Sequence, residues 1–495
     1  MRDVSTSLDM TKGLLEDKRT SWVVAALICL LFVTANLPWQ LDDYDQAKQA
    51  FTSLEMVKAG HWLYQNTPHE RVATKPPFVG WISAVVFGVI RSWELAWRLP
   101  SIFAAIALAI LLFRAAASTY GLVAGLIAVS AFGFNSLTPR LASLVRTDMP
   151  LALVIFLLGL LIWQKIRTRE PWNARDRLII FAVLTAAMLI KGPIVYAFLL
   201  PGIAAFAWRR RKQQEFNAGM GWWPWLASLG IFLIWVIGGI AFQPGFFDQV
   251  VVREFAGRFG ETIHRPQPFY FYLPHLLQKF APWSVLMIAT AIVDLRSIGW
   301  KFRRAFRRMS PETLWLICWS FGGLVAMSLI PSKRVDRIFP VIPPLCLLLA
   351  AQLGGALRRE QTRSHIYLWS AMALVLSILF TTGYVVAKVV TGYRDHHDAL
   401  VHFGSQVRTE AEEHHWRYGI IWGGHEGLLV YLRKLRFLKE QEAVVEWNRG
   451  NLDALVVPTA KAPNLMRQLH DAALSESTTG SQKNEPQSAY ILIRR

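Results

Sequence analysis

Cysteine is nearly missing from this sequence: three in 495 residues, Cys29, Cys318 and Cys346. Each falls inside an apolar run, where a free thiol packs as a small hydrophobe. That excludes a disulfide framework and a thiolate metal site. Acid is scarce too, with 34 Asp and Glu against 53 Lys and Arg and a formal net charge of +19. No internal repeat is visible, which argues against the repeat architecture common among transporters. No small-x-small cleavage pattern follows the first apolar run. Preceded by Lys12, Lys18 and Arg19, that run reads as a retained anchor that starts in the cytoplasm.

Apolar length is what the sequence has in excess. Hydrophobic residues make up 53% of the chain, with 21 Trp and 29 Phe, and mean hydropathy is +0.31. Apolar runs of about 13–23 residues recur between residues 21 and 388, the length that crosses a hydrocarbon core of about 30 Å. They lie near 21–38, 78–90, 98–113, 121–135, 150–164, 178–190, 193–208, 223–242, 283–295, 312–330, 338–354 and 366–388. The positive charge collects in short loops between them: Lys165 to Arg169, Arg209 to Lys212, Lys301 to Arg308 and Arg358 to Arg363. That distribution follows the positive-inside rule. It argues for membrane topology and contact with membrane lipids, and against a nucleic-acid partner.

Basic loops on the inner side make the alternation consistent after residue 165 and put the tail outside. Twelve spans starting inside would end inside, so one more crossing is needed before residue 150. The polar-punctuated stretch 135–145 (NSLTPRLASLV) is the expected place, giving about 13 transmembrane helices. The organisation expected is a cytoplasmic N-terminus (1–20), a membrane module (21–388) and a tail (389–495). The module carries outer loops at 39–77 and 243–282. In the tail, β-rich runs at Tyr418–Trp422, Ala454–Val457 and Ala489–Ile493 alternate with helical patterns near Ala399–Glu413, Glu426–Lys434 and Lys461–Leu474. This predicts a small α/β domain on the periplasmic side. His396-His397 and His414-His415 point to different faces of any regular element and read as solvated surface residues.

With this topology the outer face gathers an unusual set of ionisable residues. The first loop holds Asp42, Asp43, Asp45, Glu55 and Lys75. Asp148 sits at the edge of a span and Lys191 in an LIKGP break. The long loop adds Glu254, Arg258, His264, Arg265, Tyr270 and Tyr272, and the PSKRVDR segment adds Lys333, Arg334, Asp336 and Arg337. Ionisable groups beside spans are costly to place and tend to mark function. So many cations on the outer side imply an anionic partner there. Transfer from a lipid-linked phosphate suits the set. Fixed Lys and Arg neutralise the charge that develops on a phosphate leaving group, and a carboxylate such as Asp45 orients or deprotonates an acceptor hydroxyl.

The ordered motifs DQAKQAFTSLEMVKAGHW, TKPPFVGW, LAWRLPS, RTDMPLAL, LIKGPIVYAFLLPG, FFDQVVVREFAGRF, FYFYLPHLLQKFAPW and SLIPSKRVDRIFPVIPP resemble one family. It is the bacterial polyprenyl-phosphate-sugar transferases of the GT-C class. They include the lipid A aminoarabinose transferase (ArnT), with the protein O-mannosyltransferases as more distant relatives. The resemblance covers nearly all of residues 21–350. It implies an α-helical polytopic GT-C fold and an inverting glycosyltransferase of the inner membrane. The implied donor is an undecaprenyl-phosphate-linked sugar, and the acceptor is lipid A or another periplasmic lipid, glycan or protein. The family needs no nucleotide sugar, cofactor or essential metal, and none is expected here.

Carried over by position, the resemblance makes Asp45 the first-loop catalytic aspartate and Asp148 a second acid. It makes Lys75, Arg258, Lys333 and Arg334 donor-phosphate ligands. Asp43, Glu55, Lys191, Glu254, Tyr270 and Tyr272 stand as acceptor or supporting candidates. The chain departs from the family opening at Gln46 (usually Glu), Lys48 (usually Arg) and Gln49 (usually Tyr). This leaves Asp42 and Asp43 open as the acting acid. The reading from a different class is a non-catalytic flippase or transporter of polyprenyl-linked glycan. The polar groups, which collect at one face rather than at mid-bilayer, speak against it.

Overall fold

In a computed structural model of the chain the described residues are 12–41, 43–210, 221–258, 266–297, 299–300, 309–475 and 489–495. They form two compact units. The first comprises 1–33, 100–143 and 147–384, and the second 34–99, 144–146 and 385–495.

Long apolar helices dominate the first unit. Among the described residues, six helices are long and apolar enough to cross a membrane. They are Trp93–Tyr120, Asp148–Thr168, Trp223–Phe242, Pro311–Leu329, Val335–Leu357 and Glu360–Arg394. A seventh is possible if Tyr272–Lys279 and Trp283–Ser297, bent by 100°, count as one span. Trp223–Phe242 leaves Ile234, Ile237 and Phe242 exposed, the apolar outer face that lipid would cover. Close helix packing inside this unit rests on small residues, as is usual where lipid removes the hydrophobic drive between helices. A Cβ on Gly322 would lie 2.6 Å from the Gly202 nitrogen, so Ile194–Arg210 and Pro311–Leu329 meet backbone to backbone. At Gly159 the ring of Trp319 takes the space, and the Trp315 indole N–H donates to the Gly159 carbonyl at 3.0 Å.

One expectation is corrected here. The stretch 135–145 holds only the five-residue helix Thr138–Ala142. At 1.5 Å per residue it is about 7.5 Å long, far short of a bilayer core. Asn135 explains the interruption. Its side-chain amide donates to the Ala131 and Phe132 carbonyls, and its Oδ1 accepts from the backbone of Leu137 and Thr138. These bonds satisfy the end of the Leu122–Gly133 helix and turn the chain away.

The second unit is built around a four-stranded sheet, whose strands in chain order are β1 (Tyr418–Ile420), β2 (Ala454–Pro458), β3 (Ala473–Leu474) and β4 (Tyr490–Arg494). Their order across the sheet is β1-β2-β4-β3. β1 and β2 are parallel. β2 pairs antiparallel with β4, with Leu455 opposite Ile493 and Val457 opposite Ile491. Successive side chains point to opposite faces, and both faces are covered. Ala454, Val456, Tyr490 and Leu492 face one core, and Leu455, Val457, Ile491 and Ile493 face another with Trp447 and Leu465. That is why these strands read as unbroken apolar runs rather than alternating ones.

The first of those cores also contains Phe51 and Leu54 from the Tyr44–Ala59 helix, together with Trp93 and Trp97. The first loop and the tail thus share one core. Tyr431 completes the join by accepting the Leu41 N–H on its hydroxyl at 2.5 Å. At the other end, Lys388 Nζ donates to Asn36 Oδ1 at 2.7 Å.

Candidate functional site

The second unit holds the first-loop acids. Asp43 caps the Tyr44–Ala59 helix, its carboxylate accepting the Gln46 N–H at 3.0 Å. This is a favourable N-terminal arrangement for an anion. Within the first turn, Asp45 Oδ2 lies 2.9 Å from Arg146 Nη2, and the same guanidinium nitrogen is 3.6 Å from Asp43 Oδ2. Arg146 is 5% exposed, against 33% for the Asp45 side chain. The cation is therefore packed away while the acid it orients keeps an open edge. Asp42 lies outside the described residues.

Sequence reading passed over Arg146 as a partner; the only signal was its place in RTD before Asp148. The segment carrying it is tied down by Gln46, whose Oε1 accepts the Val145 N–H at 3.3 Å. An amide accepts this bond without bringing a third negative charge beside Asp43 and Asp45. Lys48, another departure from the family opening, donates from Nζ to Thr74 Oγ1 at 3.1 Å, next to Lys75. Lys75 itself is half-buried in the turn before the Phe78–Ile90 helix and makes no ion pair among the described residues. Glu55 is buried, and its carboxylate accepts from the Asn66 backbone at 2.5 Å and pairs with His61 Nδ1 at 3.0 Å. Those bonds pin the 60–66 turn, so Glu55 acts as a brace.

The first unit holds the other candidates. Asp148, in the first turn of its helix, is 2.5 Å from Lys191 Nζ at the end of the Ala174–Lys191 helix. Both side chains are largely buried. A close pair of this kind is costly to break by removing one member. Lys333 is buried, donates to the Gln267 carbonyl at 2.9 Å, and has its pKa pushed down by that burial. Arg334 follows it, half-buried, as the N-cap of the 3-10 helix Val335–Val341. In the same loop Arg337 donates to the Ser332 carbonyl at 2.7 Å.

Glu254 sits in the π-helical stretch Phe247–Phe255, and Arg258 ends the turn that follows. The Arg258 side chain, His264 and Arg265 lie outside the described part. Tyr270 is exposed and Tyr272 fully buried, so only the former presents its ring to a ligand. Among the described residues no group of three His, Cys, Asp or Glu side chains could hold a metal ion.

Comparison with known proteins bears on what these residues serve. A family described as dolichyl-phosphate-mannose-protein mannosyltransferase matches residues 74–239. An undecaprenyl phosphate-alpha-4-amino-4-deoxy-L-arabinose arabinosyl transferase of Pectobacterium carotovorum is 25% identical over 381 residues, 74% of this chain and 65% of that protein. A like-named transferase of Pseudomonas fluorescens is 27% identical over 399 residues, 76% of this chain and 63% of the relative. The alignments thus span just under two thirds of those relatives' lengths. Among solved structures, ArnT from Cupriavidus metallidurans bound to undecaprenyl phosphate superposes with a TM-score of 0.68 at 17% identity. That match covers 96% of this chain and 98% of that one. The archaeal oligosaccharyltransferase AglB of Archaeoglobus fulgidus, in complex with an inhibitory peptide and a dolichol-phosphate, gives 0.51 at 12% identity, covering 91% and 71%. At these identities the structural likeness speaks for the fold alone.

Proposed function

The chain is an ArnT-like relative of the GT-C glycosyltransferases, and on that premise we propose that it transfers a sugar from an undecaprenyl-phosphate donor to a periplasmic acceptor. Lipid A or another envelope glycan is the acceptor this reading favours. The observation that carries it is Asp45, an acid held by the buried Arg146 yet left partly open. In the transfer, the acceptor oxygen attacks the anomeric carbon and its proton passes to the Asp45 carboxylate. The bond from that carbon to the phosphate oxygen breaks, and undecaprenyl phosphate leaves with the electron pair. Attack opposite the leaving group inverts the anomeric centre.

Lys75, Arg258, Lys333 and Arg334 are the proposed phosphate ligands. Asp148, fixed by Lys191, is the proposed positioning acid for donor or acceptor. No cofactor or metal enters this scheme.

The proposed orientation follows from charge. The Phe78–Ile90 helix belongs to the second unit with the sheet. Removing it from the twelve apolar runs leaves eleven crossings. These alternate correctly through every basic loop and end with the tail outside, with no hidden crossing. The active site and the C-terminal sheet are then periplasmic, in the inner membrane of a bacterium.

Mass spectrometry of membrane lipids from cells with the protein, without it, and with Asp45→Asn tests the reading. Accumulation of an undecaprenyl-phosphate sugar in both the deletion and the variant supports transfer and identifies the sugar. A deletion phenotype with a wild-type-like variant would remove Asp45 from catalysis and favour the flippase.

A further inference from the structure

A second cluster of charge in the second unit has no part in this chemistry. Lys58, in the last turn of the Tyr44–Ala59 helix, donates from Nζ to the Arg433 carbonyl at 2.9 Å. Arg433 has φ +55°, a left-handed position where glycine is usual. Its side chain repays that conformation. The guanidinium lies 5.9 Å and 5.2 Å from the rings of Trp93 and Trp97 and 2.9 Å from Glu94 Oε1. Lys434 follows with Nζ 3.7 Å from the centre of the Tyr418 ring. Arg408 rises from the neighbouring helix Ala399–Glu413.

These four cations are near enough to repel one another. Burial, then Arg433 and Arg408, push the Lys58 pKa down, and burial, then Lys58, push that of Lys434 down. The carboxylates acting on the cluster are Glu94, already paired with Arg433, and Glu412, which acts on Tyr418. Lys58, Arg408 and Lys434 form no ion pair among the described residues. Cations crowded without matching acids raise the folding cost unless an anion joins them.

The position of the cluster indicates which anion. Trp93, Glu94 and Trp97 form the first turns of Trp93–Tyr120, a helix long and apolar enough to span a membrane. Trp93 and Trp97 are themselves buried, but the start of a spanning helix, ahead of its apolar run, falls at the headgroup layer. Val57 and Leu435, the chain neighbours of Lys58 and Lys434, are exposed, so apolar and cationic groups share one surface. We propose that Lys58, Arg408 and Lys434 bind the phosphates of anionic phospholipid headgroups on the bilayer face where Trp93–Tyr120 begins. The inference rests on that helix being a membrane span and not on sugar transfer, so its test uses no turnover.

Native mass spectrometry of the purified full-length protein in detergent, titrated with phosphatidylglycerol or phosphatidylcholine, provides the test. The wild type should retain phosphatidylglycerol preferentially. Lys58→Gln/Arg408→Gln/Lys434→Gln should lower that preference at least about tenfold, and Lys58→Gln alone about fivefold, with added salt weakening the effect. Lys58→Arg/Lys434→Arg should keep it. Equal phosphatidylglycerol retention by the triple variant would overturn the proposal. Complete displacement of the lipid by millimolar inorganic phosphate would overturn it in favour of a free-phosphate site. If the triple variant does not fold, the exposed single Lys58→Gln decides between the same outcomes.

Discussion

Arg146 Nη2 lies 2.9 Å from Asp45 Oδ2, a pairing that joins residues 101 positions apart. The cation is buried and the acid is partly open. Arg146 is therefore a positioning residue: it fixes the orientation of the carboxylate.

Arg146→Met should cost about 100-fold in kcat, the scale of loss when a reacting group is misplaced, with KM for the donor changing little. Arg146→Lys keeps the charge but not the planar fork and should fall between. Initial rates on purified protein with a polyprenyl-phosphate sugar would show this. A kcat unchanged in Arg146→Met would remove the positioning role.

Asp148 and Lys191 should behave as a coupled pair. Asp148→Asn or Lys191→Met alone takes away the ion-pair partner of a largely buried charge and should destabilise by about 3–5 kcal/mol. The double variant should recover part of that, with a coupling of about 1–3 kcal/mol. Thermal unfolding of the four proteins in detergent measures it. Strict additivity would mean the two do not interact.

Tyr431→Phe removes the acceptor of a buried backbone N–H at Leu41. The expected loss is about 1–3 kcal/mol, with the 34–41 segment becoming more open to protease. An unchanged melting curve and digestion pattern would show that water replaces the hydroxyl without penalty.

Gly322→Leu should disrupt the first unit, because its Cβ would already stand 2.6 Å from the Gly202 nitrogen. Overpacking costs about 1–3 kcal/mol where neighbours can shift, and here the neighbour is backbone. Loss of a monodisperse peak in size-exclusion chromatography is the expected result, while Gly355→Leu, with open space around it, should be tolerated.

Acid should weaken the second unit through Asp453. Its pKa is lowered chiefly by the Arg417 side-chain bond, helped by the Arg417 backbone N–H at 2.8 Å. A carboxyl titrating lower in the folded than in the unfolded chain stabilises fully above its unfolded pKa, about 4. That contribution fades as pH falls through the folded value. Melting temperature should therefore drop on acidification below about pH 4, less steeply in Asp453→Asn. Identical slopes would show that other carboxylates set the acid limit.

What was legible in the sequence was what short-range pattern encodes. Apolar length announced the long helices, and the runs at Tyr418, Ala454 and Ala489 the strands, because burial on both sheet faces leaves an unbroken apolar string. Asp45, Lys75 and Asp148 stood out through ordered motifs. Only the tertiary structure decided partners. Periodicity reports which face is buried and never against what, so Asp45 could not announce Arg146, nor Leu41 the hydroxyl of Tyr431. The same limit explains the helix of Glu440–Asn448, unread because its charged surface hides a stripe ending in Trp447. It also explains the stretch 135–145, where one asparagine, spending its hydrogen bonds on four backbone groups and a threonine hydroxyl, turned an expected crossing into a corner.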